Sequence, residues 1–325
     1  MPALTLRNTS GMLARLALLL ALSGPPFQDI AKWNLICYCD ATAATPHSIV
    51  RMDDNGVILF ALRSGGTLED LRRAGVAATQ SQLSLLQAWQ LLHRRGELYT
   101  TAMPLIDDST ERAIHAFVDP LALDFERSHA TGIRALAASI AAAGLPHNQY
   151  AVLFSYVLDG QTWKKLDADG AVLPTKPDLL HPFWNGAFWA VQTARQVPGT
   201  NTSTVLGVTT YRTWNDLVGK AVSAYPMDRF PPRSFPDKPG TTVHDQGKSL
   251  ADAVAAVIET ATARAAFPAL RESEHSVATL ILGHEIIWTL MDRIVRDGIV
   301  EKPTALSEPN ATPSEVGALI FRTTP

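Results

Sequence analysis

His284 and Glu285 stand side by side in a segment whose apolar residues recur at helical spacing. A His-Glu pair on a helix opens the signature of zinc-dependent hydrolases. That chemistry needs a second histidine four residues on, so that both imidazoles face one metal ion, and Trp288 holds that place. Leu280, His284, Ile287, Met291 and Ile294 fall on one stripe, which turns His284 toward a core. Glu285 and Asp292 share another face with Arg296, which is spaced to pair with Asp292. The spacing therefore predicts a core histidine beside a solvated acidic face. A metal-dependent hydrolase built on His284 and Glu285, completed by His244, His275 or Glu272, is the least supported of three functional readings.

Other residue sets are weaker still. Gly247-Lys248-Ser249 looks like the end of a phosphate-binding loop, but Thr242 stands where its first glycine belongs and no apolar strand precedes it. An ordinary helix start capped by Ser249, with Asp252 three residues on, accounts for it. Cys37 and Cys39 are the two cysteines. One residue apart, they read as two ordinary thiols rather than a bridge, and as zinc ligands they lack two local partners. Trp184, Phe188, Trp189 and Trp214 gather in sequence with Asn185, Arg195, Tyr211 and Arg212. Aromatic faces beside amides and guanidinium groups can wall a ligand. Trp184, Asn185, Trp189, Arg195, Tyr211 and Arg212 are accordingly the candidate ligand-binding residues, against the plainer reading of a small-sheet core. No nucleophile elbow, Ser-His-Asp set or close carboxylate pair is found, so no catalytic residue is assigned and no cofactor is implied.

The elements that must position these residues follow from patterning. At 325 residues, 46% hydrophobic and 18% charged, the chain has the balance of a globular protein with one large or two ordinary domains. Disordered, collagen-like and disulfide-dense classes are excluded. No apolar run reaches the roughly 20 residues of a membrane span, so an integral membrane protein is not expected. A net charge of −3 gives no global case for nucleic acid. Residues 1–23 carry Arg7 and Arg15 before Leu16-Ala17-Leu18-Leu19-Leu20-Ala21-Leu22, and no acid appears before Asp29. That is the form of a secretory signal cleaved near Ala21-Leu22-Ser23, with a structural first helix as the alternative. Residues 24–56 read as a connecting segment.

From Val57 the punctuation sharpens. Val57 to Leu62 is a short helix stopped by Ser64-Gly65-Gly66, Thr67 with Asp70 forms a capping box for the next, and Gly75 ends it. Thr79 caps a longer third helix that Gly96 stops after His93-Arg94-Arg95, with the cations at the negative helix end, and an extended segment runs to Pro104. This order, over residues 57–107, resembles a winged helix-turn-helix module. The resemblance implies that the third helix lies in the DNA major groove, with Gln80, Gln82, Ser84 and Gln87 toward the bases and Arg94 and Arg95 at the wing root. The first two turns of that helix carry no Lys or Arg, so Arg72 and Arg73 or a dimer would have to supply phosphate contacts.

Residues 108–325 form a larger unit. Asp108 caps a helix containing Glu111 and broken at Pro120, Ala130 to Ala143 is helical, and Gln149 to Leu158 is a buried helix ended by Asp159-Gly160. Residues 187–212 alternate with period two about Pro198-Gly199-Thr200-Asn201, as an antiparallel hairpin does. Residues 226–239 form a Pro-rich loop, helices follow over Ser249 to Ala265 and Ser276 to Asp297, and the tail is extended. The expected fold is predominantly helical α+β: a winged-helix-like module, then a helical domain with a small antiparallel sheet. The leading functional expectation is an exported, periplasmic or secreted binding protein without enzymatic activity, its partner an unknown small molecule or protein. The alternative is a cytoplasmic, ligand-responsive DNA-binding regulator.

Overall fold

The computed structural model describes residues 27–40, 44–192, 225–265, 267, 275–306 and 311–324, and the backbone of 198–203 and 208–213. The fold is predominantly helical α+β. A 3-10 turn at Ile30–Lys32 leads into β1 (Asn34–Cys39). Then come α1 (His47–Val50), α2 (Asn55–Ala61), α3 (Leu68–Arg73) and α4 (Gln80–Ala88). Strands β2 (Leu92–Arg95) and β3 (Leu98–Thr101) form a hairpin, and β4 (Leu105–Ile106) follows; the third helix thus ends at Ala88 rather than at Gly96, and His93-Arg94-Arg95, expected in its last turn, lies in a strand. Thr67 with Asp70 and Thr79 with Gln82 both form complete capping boxes, which fixes where α3 and α4 begin. Gly66 bridges to Tyr99, tying the turn before α3 to the hairpin. Ile58, Leu59, Leu62, Leu83 and Leu86 are fully buried in one core.

The second core is built on long helices. These are α5 (Asp108–Ala142), α6 (Gln149–Ala151 continuing through Val152–Gln161 and Thr162–Ala168), and later α7 (Thr242–Arg264) and α8 (His275–Arg296). Between them run β5 (Gly186–Val191), β6 (Pro198–Ser203), β7 (Val208–Thr213) and β8 (Arg233–Pro236). A short α9 (Pro313–Gly317) and β9 (Phe321–Thr324) close the chain. Strands β6, β7, β9 and β8 form one sheet in that order.

The other sheet, in the order β1-β5-β4, joins the two cores. Strand β1 runs antiparallel to β5, with Ile36 opposite Trp189, Tyr38 opposite Ala187 and Cys37 opposite Phe188. Because successive side chains point to opposite faces, Ile36, Tyr38, Ala187, Trp189 and Val191 pack on the long helices. Leu35, Cys37, Cys39, Phe188 and Ala190 pack on the first module. One sheet thus serves as a wall to both cores, which is why GAFWAV reads as an unbroken apolar run rather than an alternation.

Several expectations are corrected. Residues 34–39, read as connector, are a strand of the shared sheet. Cys37 and Cys39 are disulfide-bonded: on an extended strand, residues two apart project from the same face, so the sulfurs meet. The ring encloses almost no chain, so opening it removes little from the unfolded-state entropy. Reduction is expected to cost at most about 2 kcal/mol, read as the change in urea midpoint on adding dithiothreitol. The 187–212 hairpin is reassigned: β5 pairs with β1 and β4, and the hairpin is β6 with β7. Pro198-Gly199-Thr200-Asn201 accordingly lies in strand β6, not in a turn.

Helix α5 runs through Pro120 and is capped by Asp107, not Asp108. Pro120 and Ala116 both face solvent, so the carbonyl that loses its partner can bond water. Helix α6 passes Asp159-Gly160 by widening into π-helical geometry; a Cβ on Gly160 would stand 2.7 Å from the Ser155 carbonyl oxygen. Gly247-Lys248-Ser249 lies well inside α7, where its backbone groups are bonded within the helix, so no free amides remain there for phosphate. The Pro-rich loop contains β8, and the tail, read as extended, contributes α9 and β9.

Candidate functional site

His284 sits where its stripe placed it. Its ring lies 4.7 Å from that of Trp163, 5.2 Å from Trp288 and 5.4 Å from Trp189. Nδ1 donates to the Leu280 carbonyl oxygen at 2.8 Å, the backbone acceptor one turn earlier. Trp163 donates to Asp159 at 2.6 Å and packs against Tyr38, whose hydroxyl is pushed up to about 12 by burial and then by Asp167 and Asp159. Glu285 departs from expectation. It is 7% exposed, not solvated, and accepts from His115 Nε2 at 2.9 Å, while Glu111 lies 3.9 Å from the same nitrogen. His284 and Glu285 therefore engage different partners. Among the described residues no group of three or more His, Cys, Asp or Glu side chains could hold a metal ion.

Burial holds the His284 imidazole below its ordinary value, against the pull of Asp159, the Leu280 carbonyl and Glu285. His47 is lowered the same way, by burial against its bond to the Leu35 carbonyl, with Arg51 adding to the shift. Both rings are thus neutral in the fold when the unfolded chain begins to take up protons, below about pH 6.5. The unfolded state then binds more protons, so stability is full above that pH and falls as pH drops toward the folded values. The urea midpoint is expected to decline between pH 7 and pH 5, and His284→Phe to flatten that decline. An identical slope in the variant would refute the assignment.

Trp184 and Trp189 do not wall one site. Trp184 faces the first module and donates from Nε1 to the Trp89 carbonyl oxygen at 2.8 Å; Trp189 faces the long helices. Asn185 is buried and donates from Nδ2 to the Lys176 carbonyl oxygen at 3.1 Å and to Asp178 at 3.3 Å. What the structure brings together is Trp184 with Trp89, while Asn185 turns to the Lys176–Asp178 segment. Arg195 and Trp214 lie outside the described residues, and Tyr211 and Arg212 are described only as backbone of β7.

Two of the four glutamine-and-serine positions on α4 are engaged within the fold. Gln80 donates to the Tyr99 hydroxyl at 2.9 Å, and Gln82 Oε1 accepts from the Thr79 amide and hydroxyl. Ser84 and Gln87 are exposed, as are Arg94 and Arg95 on the hairpin; Arg94 bonds the Gly96 carbonyl oxygen and lies 5.4 Å over the Tyr99 ring.

One polar cluster had no sequence signal, because Tyr156 stands 81 residues from Asp237 and 88 from His244. The Tyr156 hydroxyl donates to Asp237, and His244 Nδ1 contacts the same oxygen at 2.9 Å. Burial and then the bond to Asp237 push Tyr156 up. Burial pulls Asp237 upward too, but the bonds from Tyr156 and His244 outweigh it and hold the carboxyl low. The cluster pins the start of α7 to α6. A cleft of about 480 Å³, lined by residues including Tyr150, Val300, Glu301 and Lys302, contains none of the residues singled out above.

No family model matches the chain, and neither a curated protein nor a solved structure matches it.

Proposed function

We propose that the protein is an exported, non-enzymatic binding protein whose first module has a winged-helix-like form used for contact with a partner rather than for DNA. The observation that carries this reading is the Cys37–Cys39 disulfide. Disulfides persist in oxidising compartments and are rare where thiols are kept reduced. The Arg-then-apolar pattern of residues 1–23 fits the same destination. The surface of α4 agrees with it as well. A helix with no cation in its first turns, and with Gln80 and Gln82 bonded internally, has little left to offer phosphates or base edges.

The test is the intact mass of the protein recovered from fractionated cells expressing the full gene. A periplasmic or secreted product lacking about the first 23 residues, and lighter by two hydrogens than its reduced form, is expected. A full-length, reduced product in the cytoplasm would overturn the reading. The DNA-binding alternative would then rest on the exposed Arg94 and Arg95, and a salt series of duplex binding would be its test.

A further inference from the structure

The loop Lys176–Phe183, between α6 and β5, holds the most exposed apolar side chains among the described residues. Leu179 is 100% exposed, Leu180 82% and Phe183 46%. Side chains so exposed at neighbouring positions mark a contact surface when the backbone holds them in place. Here it does. Asp178 Oδ1 accepts from the Leu180 and His181 amides, both at 2.8 Å, and contacts His181 Nδ1 at 3.0 Å. The Asp178 amide donates back to the His181 carbonyl oxygen at 3.2 Å. From beneath, Asn185 bonds both Asp178 and the Lys176 carbonyl oxygen. Pro177 and Pro182 flank the turn. Phe183 lies flat on Trp89, 5.3 Å between centroids and 10° between planes.

We propose that this loop docks the protein on a lipid bilayer, with Leu179 and Leu180 entering the boundary between headgroups and acyl chains. The inference goes beyond the proposed function and holds in either compartment. Three observations favour lipid over a groove on another protein. Hydrocarbon offers no hydrogen bonds, so every backbone donor bonded internally lowers the cost of entry. The amides of Asp178, Leu180 and His181 are bonded within the loop. Asp178 is the one acid between Gly170 and Gln192, and it turns its oxygens to the loop's own donors; Lys176 stands at the base, where anionic headgroups suit it. Phe183, three residues after Leu180, stacks on Trp89, and aromatic rings favour the interfacial depth.

The experiment is flotation of the intact protein with vesicles of phosphatidylcholine containing about one third phosphatidylglycerol, with light scattering on the same samples. Wild type should float. The double variant Leu179→Asp/Leu180→Asp should lose at least about tenfold in bound fraction, and Leu179→Met/Leu180→Met should keep it. All three should share one thermal midpoint, because these side chains stand clear of both cores, so lost binding is not lost fold. Wild type that stays with the unbound fraction overturns the proposal. So does an Asp variant that floats as well as wild type. Concentration-dependent dimers abolished by the Asp variant, without flotation of wild type, would instead assign the leucines to a second copy of this chain. The mass test of export is unaffected by any of these outcomes, so failure of one reading is separable from failure of the other.

Discussion

Alanine at Gly186 unfolds both halves of the protein together. Gly186 opens β5 with φ of +119°, a region that side chains with a Cβ rarely adopt. A Cβ there would stand 1.9 Å from the Tyr38 carbonyl oxygen and 3.0 Å from its carbon. Both obstacles are backbone of the paired strand, so no rotamer change relieves them, and β1 must part from β5. Backbone strain of this kind costs on the order of 1–3 kcal/mol before any pairing is lost. Separation would also uncover Trp189 and Ala187 on one face and Phe188 on the other. The total is expected at about 4 kcal/mol or more, the diagnostic end of single-residue effects. Urea unfolding followed by circular dichroism and by tryptophan fluorescence should show one early, coincident transition. Gly132→Ala is the control. It lies in α5 with nothing within 4 Å of the added carbon, and should gain roughly 0.5–1 kcal/mol. A Gly186→Ala midpoint equal to wild type would show that the two strands do not meet.

The second large effect is at Arg293. On α8, its Nε donates to Glu126 of α5 at 3.2 Å, and Glu126 is only 5% exposed. Removing one partner of a buried pair leaves the other charge without compensation, which costs about 3–5 kcal/mol, whereas replacing both by apolar groups is often neutral. Arg293→Ala is therefore expected to lower stability by that amount. Glu126→Leu with Arg293→Met should restore most of it. A double variant as unstable as the single one would mean that Arg293 acts through packing alone, since its side chain is only 14% exposed.

What was legible in the sequence was local. Thr67 with Asp70 and Thr79 at a helix start are signals written within four residues, and both caps form. The stripe Leu280, His284, Ile287, Met291, Ile294 was enough to bound α8 and to bury its histidine. What was illegible depends on partners far along the chain. Glu285 has a carboxylate's usual expectation of solvent until His115, 170 residues earlier, is known to face it. Trp184 and Trp189 look like one aromatic cluster until β5 is seen to separate their faces. Cys37 and Cys39 look unbridgeable only while the segment lacks a secondary structure; on a strand they are same-face neighbours. Pro120 misleads for the converse reason, because an exposed carbonyl loses less than a buried one when the proline ring removes its partner.

The shared sheet also sets an order of events in time. The first module's core takes Trp184, Phe188 and Ala190 from a segment that leaves the ribosome long after residues 30–106. Some 150 residues separate β1 from β5, an interval of roughly 8–30 s at ordinary synthesis rates. A chain arrested before Gly186 should therefore be digested throughout by a pulse of protease, with no resistant fragment at its beginning. For a chain exported as an open thread, as proposed above, late completion is an advantage: the strand that locks the first module shut is delivered only after α5 and α6 have been made.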